Sequence, residues 1–320
     1  MKRREFVLKS SLLTSTILAP MSISSCTLNS AIESNKIGIQ LYSLRDEMVK
    51  DPKETLANVA SFGYKYVEGY EGDQGLFWGM TNLEFKDYLD SLGLKMISSH
   101  CGNTNDLSSF KSNCAQASEI GIEYLICPWA GEDLSVEGFK SLAETFNKCG
   151  QIAKDHGIKF AYHNHAYSFK EIEGVFLQDI LMDNTDKELV DFEMDIYWVV
   201  AAGQDPIEWF DKHPGRFTYC HVKDYMSLPE NKYESCTLGR GSIDFPKILA
   251  YGKQKGLENF IVEQEAYTGT SQLESAKDNF LNALQEGLDV YTKFAVESYY
   301  FSGPNSLYVQ WPKLNQTGLA

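Results

Sequence analysis

The stretch "KFAYHNH", Lys159–His165, decides how the chain is read. It opens as a buried strand, with aromatic residues at 160 and 162, and it ends on two imidazoles either side of an asparagine. Upstream lies a helix-patterned run, 138–156, closed by Gly157, the residue type that most readily adopts the left-handed conformation at a helix exit. A polar rim on an apolar strand that follows a helix is the unit from which the rest of the chain is built.

The same unit repeats outward in both directions. Strand candidates are "IGIQLYS" (37–43), "KYVEGY" (65–70), "LKMISSH" (94–100), "YLICPW" (124–129), "KFAYHNH" (159–165), "LVDFEMDIY" (189–197), "FTYCHVKD" (217–224) and "NFIVEQEAY" (259–267). Helix candidates between and after them include 52–61, 82–92, 106–120, 138–156, 206–212, 244–255 and 271–293. Glycines 63, 93, 121 and 256 close several of these as Gly157 closes its own. Strands alternating with helices make parallel βαβ units, and eight such units close into a (β/α)8 TIM barrel. A doubly wound open sheet is the alternative, but the first strand runs into "LYSLRDE" with no glycine-rich phosphate loop. The barrel is expected over 37–293, with an aromatic and polar C-terminal extension over 294–320.

The composition limits the partners. Of 320 residues, 29 are Lys or Arg and 44 are Asp or Glu, a formal net charge of −15. Nucleic acid requires a basic footprint that this chain lacks. An acidic surface gives no steering to phosphorylated substrates either. A small neutral carbohydrate, or a ligand met by a bound cation, fits better. A homo-oligomer is left open by the sequence.

The first 26 residues read as an export signal: a basic start, a short apolar run and small residues up to Cys26. "RREFVLK" resembles a twin-arginine signal and "ISSC" a lipobox, so the expected product is an exported, periplasmic lipoprotein held to the membrane only by a lipid on Cys26. Residues 27–36 read as a tether. The other six cysteines form no CxxC pair, and neither a disulfide framework nor a cysteine zinc site is expected.

In a barrel of this kind chemistry gathers at the C-terminal ends of the strands. Those ends carry Gln40 and Tyr42, Glu68, His100, His163 and His165, Glu193 and Asp195, His221, Lys223 and Asp224, and Glu263 and Glu265. Residues two apart on a strand share a face. His163 therefore pairs with His165, Glu193 with Asp195, His221 with Lys223, and Glu263 with Glu265. Inward-facing charges of this density are costly to bury unless something compensates. One divalent metal would do so, and mixed imidazole and carboxylate donors suit Mn, Zn, Co or Fe.

These residues also carry a resemblance. From Gly38 to about residue 293 the chain resembles the xylose isomerase-like TIM barrels, the sugar isomerase/epimerase superfamily that includes inosose dehydratases and endonuclease IV. The matching pieces are "GIQLYSLRD", "GYKYVEGY", "YHNH", "EMDIYWVVAAGQDP", "RFTYCHVKD", "GRGSIDFPKIL" and "FIVEQE". The resemblance implies one divalent metal held by His163, Asp195, His221 and Glu263. Keto-sugar epimerases carry a glutamate where His163 stands. The H-x-H form is closer to the inosose dehydratase branch, in which a keto sugar loses or gains water.

The activity expected is enolisation of a keto sugar, as an isomerase or epimerase or as a dehydratase or hydratase (a lyase) on a keto-glycoside or 2-hydroxyglycal. Glu68, His100 and His165 are the acid/base candidates. Glu68 would have a raised pKa if buried. Gln40, Lys223 and Arg240 are candidates for substrate oxygens, and Trp129 and Trp198 for apolar walls. Asp224 and Glu265 are expected to orient ligating histidines. The other class of function is a barrel kept only to bind sugar, without catalysis.

Overall fold

The computed structural model describes residues 36–285, apart from residue 103 and residues 130–133. Eight parallel strands close on themselves in chain order: β1 (Lys36–Gln40), β2 (Tyr66–Tyr70), β3 (Lys95–His100), β4 (Tyr124–Cys127), β5 (Lys159–His163), β6 (Val190–Asp195), β7 (Phe217–Val222) and β8 (Asn259–Val262). Each strand pairs with its neighbour in sequence, and β8 pairs with β1 to complete the barrel. The longer helices after the strands are α1 (Pro52–Phe62), α2 (Asn82–Leu92), α3 (Leu107–Glu119), α4 (Val136–Asp155), α5 (Leu177–Asn184), α6 (Pro206–Lys212), α7 (Phe245–Gln254) and α8 (Gln272–Gln285). This is the (β/α)8 barrel that the alternation predicts. The expected export signal (1–26) and C-terminal extension (294–320) lie outside the described residues, as does the tether except for Lys36, which already belongs to β1.

Local chemistry explains the element ends. Asp51 caps α1 with its side chain on the Glu54 N–H, and Pro52 occupies the first turn, where its missing donor costs nothing. Thr81 and Glu84 form a reciprocal capping box at the start of α2. Gly63 and Gly93 end α1 and α2 with φ of 112° and 68°. The strands stop earlier than their apolar patterns suggest. His165, Lys223 and Glu265 all lie beyond the last strand residue, and Ile196–Ala201 is a short helix directly after β6.

Two apolar layers result from the period of two. Phe160 and Tyr162 of β5 join the large core between strands and helices, as do Cys220 and Val222 of β7 and Phe260 and Val262 of β8. A smaller cluster of Ile97, Tyr124, Ile126, Ala161, Tyr219 and Ile261 fills the barrel interior. Above it the inward positions are polar, and the interior layer that branched apolar residues usually fill carries Glu68, Ser98 and Glu193, all buried. One irregularity places a key side chain. The β2–β3 register shifts between Val67 and Glu68. Ile97 points into the barrel, and Ser98, the next residue, also reaches inward to Glu68. That break in alternation, characteristic of a β-bulge, sets His100 on the inner face two residues further on.

Candidate active site

Three imidazoles and four carboxylates meet above the apolar floor of the barrel. Glu193 Oε2 is the hub. It lies 2.9 Å from His100 Nε2, 3.0 Å from His163 Nδ1 and 3.3 Å from His221 Nε2. Glu68 Oε1 accepts from Gln40 Nε2 at 2.8 Å and contacts His221 Nε2 at 2.7 Å, and its Oε2 accepts from Ser98 at 2.6 Å. On the outer side, His221 Nδ1 is 2.9 Å from Glu263 Oε2. Lys223 Nζ reaches Asp195 at 3.3 Å, Glu263 at 3.2 Å and Glu265 at 3.0 Å. Asp195 is fixed from both ends, since its backbone exchanges two hydrogen bonds with the Asn164 amide while its Oδ1 caps the helix that follows.

The electrostatics follow from burial and neighbours. Burial alone would raise the Glu68 carboxyl, but His100 and His221 outweigh it and hold it below the usual range. The raised value expected of a buried Glu68 is therefore reversed. Glu193 is likewise pushed upward by burial and by Glu68, yet His221, His100 and His163 bring it down to about 2. Burial opposes a charge on His100, while Glu68 and Glu193 raise it to about 9. His165 goes the other way: burial, then Lys223, lowers it to about 3. His163 is also lowered, by burial and by His221.

This donor set fits a divalent cation. Four fully buried carboxylates (Glu68, Glu193, Asp195 and Glu263) face one permanent cation, Lys223. Protonating His100 and His221 supplies two further positive charges, and a divalent ion would supply the same two. Among the described residues, two groups have donor atoms close enough to share an ion: His100, His163, Glu193 and His221, and Asp195, His221 and Glu263. His221 belongs to both. Three of the four ligands implied by the resemblance thus form one group, and His163 joins the other, with its Nε2 3.6 Å from Asp195 Oδ2. Glu193 is the member to which sequence reasoning gave no role. Its signal was present, in the face it shares with Asp195. Its second oxygen, Oε1, is buried and has no partner among the described residues.

A cavity of about 300 Å³ opens on this network. His100, His163, His165 and Glu263 line it, with Tyr42, Tyr70 and Trp129 as its aromatic walls. Trp129 is 56% exposed. Trp198 does not line it; its ring packs against His165 at 5.5 Å and under Lys223 at 5.0 Å. Gln40 is buried and its amide is committed, donating to Glu68 and Gly69 and accepting from Tyr42 N–H. Arg240 is exposed on a loop and does not line the cavity. Asp224 touches no histidine. Its carboxylate accepts from the N–H groups of Tyr225, Gly239, Gly241 and Ile243 and so pins the loop that carries Arg240. Glu265 braces Lys223, which corrects the expectation that Asp224 and Glu265 orient ligating histidines.

The family model of the xylose isomerase-like TIM barrel matches residues 56–291. The chain belongs to this family. A protein named inosose dehydratase from Clostridium perfringens is 37% identical over 143 residues, 40% of this chain and 48% of its own length. The chain thus spans about half the length of the curated relatives it matches. Among solved structures, a sugar phosphate isomerase/epimerase from Parabacteroides distasonis superposes with a TM-score of 0.67 at 27% identity, over 80% of this chain and 96% of that one. A further solved structure of the same fold, an IolI protein with a bound zinc atom, superposes with a TM-score of 0.60 at 16% identity, over 81% of this chain and 99% of that one.

Proposed function

We propose that the chain is a metal-dependent carbohydrate enzyme that moves a proton beside the carbonyl of a keto sugar, as a dehydratase or hydratase or as an isomerase or epimerase. The observation that carries this reading is the meeting, at one cavity, of a cation-fitting donor set with two further imidazole faces, those of His100 and His165. His165 lines the cavity, and its Nδ1 has no partner among the described residues, which leaves that nitrogen open to exchange a proton with a ligand. His100 lines the same cavity with its Nε2 held between Glu193 and Glu68, which fixes its ring as the second partner in that exchange. Glu68 is fully buried, with both oxygens occupied. Its part is to hold His100 and His221, rather than to transfer the proton itself. Lys223 holds Asp195, Glu263 and Glu265 together at the mouth. A divalent ion held by His163, Asp195, His221 and Glu263, with Glu193 behind them, would supply Lewis acidity toward a carbonyl and its neighbouring hydroxyl.

The inosose dehydratase and sugar isomerase/epimerase relatives support the substrate class. The zinc atom in the IolI protein of the same fold and the buried donor groups of this chain support the metal. Export and anchoring through Cys26 belong to the same proposal, supported by the make-up of the first 26 residues. The test is NMR of keto sugars in D2O with metal-loaded protein. Exchange of the proton next to the carbonyl, lost in His165→Gln, is the expected result. No exchange on free keto sugars or 3-keto glycosides would favour a barrel that binds sugar without catalysis.

A further inference from the structure

The catalytic cavity has a neighbour. A second concavity, of about 310 Å³, lies against it, and the two share Glu71, Cys101 and Gly102 as a common wall. The shared wall includes a glycine. Glu71 Oε2 accepts from the Gly102 N–H, and a Cβ at Gly102 would stand 2.7 Å from that same oxygen. Any other residue there would push the Glu71 side chain away from its seat.

The two lobes differ in character. The first has tyrosine and tryptophan walls around the reacting groups. The second has Phe110 as its floor and a polar lining of Asp106, Ser109 and Asn113. Asp106 spends one oxygen on the N–H groups of Ser108 and Ser109. Its other oxygen, the Ser109 hydroxyl and the Asn113 amide make no hydrogen bond among the described residues. Uncommitted acceptors and donors over an aromatic floor match a ring rich in hydroxyl groups. Among the described residues no lysine or arginine lines either lobe, and the second carries the carboxylates of Glu71 and Asp106. In the second lobe a dianion would meet like charge.

We propose that the second lobe is a subsite for the non-reacting ring of a neutral glycoside, so that the substrate is a two-unit keto-glycoside in preference to a free or phosphorylated sugar. This rests on the reading of the first lobe as a keto-sugar site. The experiment compares kcat/KM, followed by NMR, for a 3-keto disaccharide, the methyl 3-ketoglycoside and that methyl glycoside carrying a 6-phosphate. The disaccharide is expected to be favoured over the methyl glycoside by about tenfold or more, equivalent to roughly 1.4 kcal/mol, and the phosphate to be the poorest. Filling the lobe with Ser109→Trp, or removing its amide with Asn113→Ala, should collapse the disaccharide-to-methyl ratio toward one. Because the readout is a ratio, partial loss of folded protein does not disturb it. Equal kcat/KM for disaccharide and methyl glycoside, a preference for the phosphate, or a ratio untouched by both variants overturns the subsite. Absence of proton exchange on all three compounds refutes the keto-sugar reading itself, an outcome distinct from exchange without a disaccharide advantage.

Discussion

Replacing Glu193 by glutamine keeps the shape of the hub and removes its charge. Three imidazole nitrogens within 3.3 Å of one oxygen then face a neutral amide. Breaking one side of a buried ion pair costs about 3–5 kcal/mol. The carboxyl itself gives a similar figure, since lowering it from 4.5 to about 2 corresponds to roughly 3 kcal/mol at 1.36 per pH unit. For a domain of this size, a loss of about 3–5 kcal/mol lowers Tm by roughly 6–20 °C.

The sign of the pH dependence is fixed by the same groups. Glu193, lowered from 4.5, stabilises fully above pH 4.5 and loses that contribution as pH falls toward about 2. His100, raised from 6.5, stabilises fully below pH 6.5 and loses it as pH climbs through about 9. In the metal-free protein the gap between wild type and Glu193→Gln is therefore widest between pH 4.5 and 6.5 and narrows on either side. Urea denaturation followed by circular dichroism measures it. A double-mutant cycle of Glu193→Gln with His100→Asn should show coupling of about 0.5–3 kcal/mol. A loss below about 1 kcal/mol that is flat across pH would refute the assignment of Glu193 as the charge that holds the three imidazoles.

Other outcomes follow from single positions. Trp129→Ala, at a side chain 56% exposed, should leave stability within about 0.5 kcal/mol while weakening sugar binding severalfold in a titration; unchanged binding would remove Trp129 from the cavity wall. Gly150→Ala in α4 puts a Cβ 2.3 Å from the Leu189 carbonyl oxygen, so a loss of about 1–3 kcal/mol from overpacking is expected in denaturant melts, and a stabilised variant would contradict that packing. The six cysteines from Cys101 to Cys236 are buried free thiols, and burial pushes Cys114 and Cys149 up to about 12. A thiol reagent at pH 8 should leave them unreacted until denaturant is added, because the thiolate is the reactive form.

Much of this architecture is legible in the sequence. Eight strand-and-helix units and the glycines that close the helices are local features, and the barrel follows from their repetition. The polar residues at strand ends also give most of the site, because a period of two says which of them share a face. What the sequence conceals is non-local. The bulge at Ile97 and Ser98 that turns His100 inward depends on register against β2. The α5 helix (Leu177–Asn184), the small hairpin Glu171–Phe176 before it and the hairpin Asp224–Cys236 interrupt stretches that read as loop. Glu193 looks redundant beside Asp195 until three histidines from β3, β5 and β7 are seen to converge on it. Asp224 reads as an orienter of a ligating histidine, yet its carboxylate turns to the loop at Gly239–Ile243.

The central claim is that these buried carboxylates and imidazoles hold a divalent ion. Elemental analysis of protein stripped with EDTA and then dialysed separately against Mn, Co, Zn or Fe(II) tests it most directly. About one equivalent retained in wild type, and none in His221→Ala, the residue common to both donor groups, is the predicted result. Wild-type protein that keeps no ion, with melting unchanged by any of the four, would contradict it.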